Sequence, residues 1–506
     1  MRLARVALIV IVLVSTTRVG PAGAQECAAS VDEKAFPSAS RIRALNKVMA
    51  DAGARPTASP AHHRYVAWLE SQLRRIKGVR VRKRYESINR WLERGTRLSV
   101  QGRRVRVSGA VPYSKAGSVR GQLIYVPAGT AVSASDVKGK IVLRDALPGT
   151  GPQAIFFAVA YYVHDPDGSI DYAGNYERDF SGYAQRVTDL QEAAKAGAAG
   201  VVFAHTLPYE QVRGNYQPYN GVFWDVPAAF VGVDEGEQLK RLAGKNAELV
   251  VRAQVTPNVP SPTLIGTLTG GSRERIVIAS HTDGMNAVWD NGPTSILALA
   301  QYFAKLPLEC RPRTLEFVMS TAHLYLSENG AHNYAHEELD PGYDEGTVAF
   351  AVALEHLGAK EFWRFPRKGR PGFELRYTGR SEPFVTFSHE SPVSLQALLT
   401  SVIERDIRRT WILRGADAPQ VGFPPHRSYG GEGGAYHGEL LPTLAGITGP
   451  NTLYNPAFGL DELVDFELMR RQTMVFGDTI LKLQDLPRQL IAGADTVYRA
   501  GRDLSP

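Results

Sequence analysis

Residues 276–292 read IVIASHTDGMNAVWDNG, the densest chemistry in the chain. An apolar run, 276–279, ends in His281 and Asp283. Asp290 follows, beside Asn291-Gly292 and an amphipathic segment. A buried strand ending in His-x-Asp, with a second Asp at the mouth of the next helix, brings imidazole and carboxylates to one rim. That donor set suits a divalent cation such as zinc. Two more places could add to it: His323 after the apolar run 315–321 and Glu355 after 349–354. His356 falls on the opposite side from Glu355 if the strand alternates, and is expected to pack.

The elements that position these residues follow from periodicity. From 259 to 490, strands at 276–280, 315–321, 349–354 and 443–447 alternate with helical stretches at 293–306, 328–336 and 394–409. This is an α/β pattern: a mostly parallel sheet flanked by helices, with ligands beyond the strand carboxyl ends. His281, Asp283, His323 and Glu355 all follow such ends. Residues 98–258 are β-rich, with runs at 123–126, 141–143, 201–204 and 229–233 around a helical 190–198; residues 151–185 read as a long loop. Upstream, Ser59-Pro60 is a helix start, and Tyr65, Leu69, Leu73 and Ile76 repeat at helical spacing. A short strand is expected at 79–81. The segment 25–97 has too few apolar residues to stand alone and should pack on a later domain.

Two resemblances follow. DVKGKIVL (136–143), AAKAGAAGVVF (193–203) and VPAAFVGVDEGEQL (226–239) resemble the protease-associated (PA) domain, a β-rich, non-catalytic insertion found in exopeptidases and receptors. The part from 259 to 490 resembles the zinc-dependent exopeptidases: co-catalytic aminopeptidases, glutamate carboxypeptidase, glutaminyl cyclase and the non-enzymatic transferrin receptor. The resemblance implies a zinc exopeptidase-like, phosphorylase/hydrolase-like fold. It also implies that His281 binds metal, Asp290 bridges two metals and Asp283 supports the site, with Glu355 as the third ligand.

The chain departs from that pattern. The family's adjacent Glu-Glu, base and ligand, reads His323-Leu324 here, and the final ligand His reads Asn455. Leu324 cannot bind metal, and Asn is a poor zinc ligand. One site keeps its set, His281, Asp290 and Glu355, which gives the expectation of one zinc ion per chain. His323 would be the base or an extra ligand, and Asp283 would orient. His437, Glu432 and Glu328 are candidate replacement ligands; Glu328 is otherwise a solvated helix-start carboxylate.

Residues 1–24 read as a secretory signal: Arg2 and Arg5, an apolar 7–14, then Ala22-Gly23-Ala24. A periplasmic or extracellular location is therefore expected. Nothing else is long and apolar enough to span a membrane. The formal charge of +7 includes Arg2, Arg5 and Arg18 in the signal, which leaves a mild excess of +4. The basic run 74–84 reads as a solvated surface rather than a nucleic-acid site. The two cysteines, Cys27 and Cys310, are either a bridge formed after export or two separate thiols. The expected division is 1–24 signal, 25–97 helical segment, 98–258 PA domain, 259–490 exopeptidase-like domain and 491–506 tail.

Two functions remain. One is a secreted metallopeptidase, an atypical aminopeptidase that hydrolyses peptide or other amide substrates. The other is a non-catalytic binding or receptor-like module with a degenerate metal site. In either, the PA domain could contact a protein partner. A serine hydrolase is set aside, because no Gly-x-Ser-x-Gly elbow occurs.

Overall fold

The computed structural model describes residues 27–132, 136–218, 224–325, 329–414, 416–417 and 427–502. The expected signal segment and Glu328 lie outside them.

Two helices come first, α1 (Ala39–Asp51) and α2 (Pro60–Arg74). Ser59 caps α2 by accepting from the His62 N–H at 3.1 Å, and Pro60 fills the first turn, where no N–H is needed. The buried face of α2 carries Tyr65, Val66, Leu69 and Leu73, and also His62. Both helices lie against the core of the C-terminal half.

One large sheet runs through the molecule. Its principal strands are β1 (Val79–Val100), β2 (Gly117–Val126), β3 (Ile141–Ala146), β4 (Gly200–His205), β5 (Ala228–Val231), β6 (Asn246–Leu268), β7 (Arg275–His281), β8 (Thr314–Ser320), β9 (Val348–Leu354), β10 (Phe384–Ser388), β11 (Thr410–Leu413) and β12 (Thr443–Ile447). Their order is β5-β4-β3-β2-β6-β8-β7-β9-β12-β10-β11, and β1 pairs antiparallel with β6 along nearly its whole length. The centre, β8-β7-β9-β12, is parallel. Its strands are buried along almost their full length, as expected of a sheet covered on both faces.

Register places His281 opposite Ser320, so β7 and β8 end at one level. Helix α3 (Gly292–Phe303) leaves this edge and packs back on the sheet. Gly292 is required there, because a Cβ would collide with the Ser280 hydroxyl and the Leu354 carbonyl. Helices α4 (Gly433–Gly438) and α5 (Phe466–Leu483) complete the surroundings of the site.

The chain differs from expectation in two places. The short strand at 79–81 is instead a strand of 22 residues. It spans the expected boundary at 97, as β6 spans the one at 258. The expected long loop 151–185 carries a strand, Ala160–His164, that pairs with β11 at the far edge of the sheet. Cys27 and Cys310 are disulfide-bonded across a separation of 283 residues, with their Cα atoms 5.4 Å apart. No helix among the described residues is long and apolar enough to cross a membrane.

Candidate metal centre

Three side chains converge beyond the carboxyl ends of β7 and β9: His281, Glu355 and His356. All are at least 98% buried. His281 Nε2 lies 3.4 Å from Glu355 Oε2, which lies 3.9 Å from His356 Nε2. These same three atoms are buried without a hydrogen-bond partner. The other ring nitrogens are engaged. His281 Nδ1 is 2.9 Å from the Asp283 carbonyl, and His356 Nδ1 is 2.7 Å from the Thr448 carbonyl. A carbonyl only accepts, so each Nδ1 carries the proton and each Nε2 presents a lone pair. Two imidazole lone pairs and a carboxylate oxygen left open at one buried point are donors that could hold a cation. The backbone carbonyls fix ring and tautomer, as metal-ligating histidines require. The set is His₂Glu, as in zinc metallopeptidases.

His356 enters this group against the expectation that it packs on the other side. Its φ of +53° breaks the strand alternation at once after Glu355. Ala322, just before His323, has φ +66°. Two non-glycine residues in the left-handed region, at the ends of the strands that flank β7, mark a backbone held in costly shape by its surroundings.

Asp290, expected beside His281 and Glu355, is turned elsewhere. Both of its oxygens are held by Arg55: Nε to Oδ2 at 2.7 Å and Nη2 to Oδ1 at 2.5 Å, with both side chains fully buried. This fork of two charge-assisted bonds engages one lone pair on each oxygen, and Asp290 lies outside the group formed by His281, Glu355 and His356. Burial pushes the Asp290 carboxyl above its ordinary range against the pull of Arg55.

Asp283 also acts differently from expectation. Its backbone carbonyl, not its carboxylate, orients His281. Its carboxylate accepts from the Thr57 hydroxyl at 2.6 Å and from the N–H groups of His323 (3.2 Å) and Leu324 (2.9 Å). That pins the turn after β8. Burial opposes its ionisation, but His62, His281 and His323 hold it below the usual carboxylate range.

His323 stacks on His281, ring centroids 3.9 Å apart at 9°. Its Nδ1 is 3.0 Å from Glu432 Oε2. Desolvation works to lower its basicity, but the Glu432 bond and the charges of Glu355, Glu432 and Asp283 push it up to about 9. Glu432 stands at the N-terminal end of α4. Its carboxylate joins His323 to the Ser320 hydroxyl, and its own N–H donates to Glu355 Oε1. It therefore supports Glu355 and His323 from behind rather than adding a donor to the trio. His437 stacks on Tyr429, centroids 4.0 Å apart, and is outside the trio.

Besides His356, the sequence did not point to Arg55, Thr57 and His62, which come from the N-terminal segment. His62 Nδ1 accepts from the Ala58 N–H at 3.1 Å, so its Nε2–H donates to Thr282 Oγ1 at 2.7 Å. Burial drives its pKa down to about 4, leaving it neutral. Its spacing from Tyr65, Val66 and Leu69 put it on an apolar helix face, the one legible sign that it is a buried polar contact.

This geometry can be set beside known proteins. Residues 119–239 match the PA domain family model. No curated protein sequence matches the chain. Among solved structures, the Peptidase M28 precursor from Shewanella amazonensis is 15% identical, with a TM-score of 0.63 over 91% of this chain and 95% of that one. A zinc aminopeptidase from Bacillus subtilis is 14% identical, with a TM-score of 0.60 over 88% and 95%. An aminopeptidase from Aneurinibacillus sp. is 18% identical, with a TM-score of 0.53 over 88% and 93%. This is the zinc-exopeptidase fold with a PA domain.

On that fold the two departures read from sequence are both deeply placed. Leu324 is fully buried in an apolar cluster that includes Met285, Trp289, Tyr325 and Tyr454 from the rim of the centre, with Trp91 and Tyr113 from the other half. Asn455 is fully buried and accepts from the Asn215 amide at 2.7 Å. Leu324 carries no donor atom, and the Asn455 amide oxygen is already engaged by Asn215.

Proposed function

We propose that the protein is a hydrolase of peptide or related amide bonds that uses one zinc ion and works outside the cytoplasm. The observation that carries this is the convergence of three orphaned buried donors, His281 Nε2, Glu355 Oε2 and His356 Nε2. A zinc ion bound there would supply water activation and carbonyl polarisation. The chain's own residues do the rest. Asp283 and Thr448 carbonyls hold the two rings. Asp283 carboxylate fixes the 323–324 turn, and Glu432 keeps His323 in place. His323 is the solvent-facing member, its side chain 17% exposed against 0–3% for His281, Glu355, His356 and Glu432. It is the group placed to take up or release a proton at its ring while Glu432 balances the charge. The disulfide supports an oxidising compartment, as does the signal-like N-terminus.

The test is metal content, measured on protein purified from the exported fraction without chelator. One zinc per chain is expected, lost in His356→Ala, with hydrolysis of aminoacyl substrates lowered in His323→Ala while metal is retained. Zinc retained in His356→Ala would refute the donor set. A second reading, a non-catalytic binding module, is favoured by the apolar packing of Leu324 and the Arg55 fork on Asp290. Absence of zinc, even after incubation with it, would select that reading.

A further inference from the structure

A cavity of about 550 Å³ lies between the excursion 149–178 and the antiparallel hairpin of Lys360–Pro366 with Phe373–Ser381. The end of β11 forms part of its wall. Three separate stretches of chain therefore build it. Tyr176, Trp363 and Tyr377 bring aromatic surface to it; the Trp363 and Phe365 strand faces inward, and Tyr377 is 48% exposed.

The carboxylates of Asp171 and Glu361 line the wall, but its buried polar atoms that lack a partner are donors. Arg409 Nη2 donates to Glu361 Oε1 at 2.7 Å and its Nη1 to the Ser381 carbonyl, which leaves Nε buried without an acceptor. Trp411 is fully buried, stacked on Phe156 at 5.1 Å, and its Nε1 also lacks an acceptor. Arg380, half exposed, reaches Glu361 only at 3.4 Å. Glu361 is already held by Arg409 and by the Thr378 hydroxyl at 2.7 Å. Guanidinium and indole N–H groups can only donate. The buried polar valences left open in this wall are therefore donors, beside a guanidinium that is weakly paired and accessible.

We infer that this cavity binds a small ligand that carries a carboxylate next to a ring whose face can pack on an aromatic side chain. The carboxylate accepts from Arg380 and Arg409, the pairing that planar guanidinium favours. The ring lies against Trp363 and Tyr377. A free carboxyl end on an aromatic residue and an acidic sugar share this chemistry. The inference is independent of the metal centre, since none of its residues belongs to the trio.

Titration calorimetry on the full chain would use four probes: N-acetyl-phenylalanine, its amide, glucuronic acid and glucose. At least one acid should bind tenfold or more tightly than its neutral counterpart, and which acid does so identifies the source. Arg380→Gln should abolish that preference, and Trp363→Ala should weaken binding of both forms. Both positions are partly exposed, so an unchanged circular dichroism spectrum is expected for each variant. Equal binding of acid and neutral forms, no saturable binding by any probe, or binding untouched by both variants would overturn the inference.

Discussion

Replacing Arg55 by Met keeps much of the side chain's length and removes its charge. Asp290 then sits fully buried with no counter-charge, and five hydrogen bonds of the guanidinium go: two to Asp290, one to the Gly53 carbonyl, and those to the Met49 and Asn286 carbonyls at 2.7 and 3.2 Å. Breaking one side of a buried pair typically costs about 3–5 kcal/mol. The carboxylate has one escape, which is to take a proton. From an ordinary pKa near 4 that costs about 4 kcal/mol at pH 7, at about 1.4 kcal/mol per unit. The two routes agree, so Arg55→Met should destabilise by about 4 kcal/mol at pH 7. The loss should shrink by about 1.4 kcal/mol for each unit the pH is lowered toward 5, since protonation becomes cheaper. Arg55→Met with Asp290→Leu should recover much of it, because neither charge is then stranded. Urea denaturation of the wild type, both single variants and the double variant at pH 5, 6 and 7 measures this. A loss below about 1 kcal/mol that does not change with pH would refute the reasoning. If that small loss grew on adding chelator, Asp290 would be a metal ligand after all.

Three further outcomes are expected. Gly431 has φ +68° and its Cβ would strike Glu355 Oε1, so Gly431→Ala should displace Glu355 and lower zinc content by at least tenfold at limiting metal, read by equilibrium dialysis. Cys27→Ser opens a link across 283 residues and should cost about 3–5 kcal/mol in chemical denaturation under non-reducing conditions. Burial pushes Glu382 up to about 7 although Arg178 bonds to it. A carboxyl whose folded pKa is raised stabilises below its unfolded value of 4.5 and loses that contribution as pH rises through 7. The wild type should therefore lose stability relative to Glu382→Gln between pH 5 and 8, and parallel curves would sink the assignment.

The central strands were legible because they are buried on both faces: runs such as 276–280 and 349–354 have no polar interruption, and they fix where His281 and Glu355 must stand. β1 was legible only at 79–81. Beyond that it is a ribbon exposed along much of its length, with Arg, Glu and Asn interleaved among Ile88, Trp91 and Leu98, so its apolar signal is diluted. His356 was lost for a local reason. Strand periodicity assigns it to the far side, and a single left-handed residue overrides periodicity. Arg55 was lost for a non-local one. It meets Asp290 across 235 positions, and no spacing rule reaches that far.

β1 and β6 pair with each other from Val79–Leu268 at one end to Val100–Ala247 at the other, and β6 also bonds to β2 on the PA side and to β8 in the C-terminal half. The two halves thus share backbone rather than a linker. A lid that swings needs a few residues free to change φ and ψ, and here the crossing residues of each strand are tied to the other by ladder hydrogen bonds. Opening the centre by rotating the PA half would mean tearing that ladder. What the ribbon does permit is torsion, because a two-stranded stretch twists more readily than a broad sheet. Whatever grips the PA half would reach the metal centre as a turn of the screw, not as a door coming open.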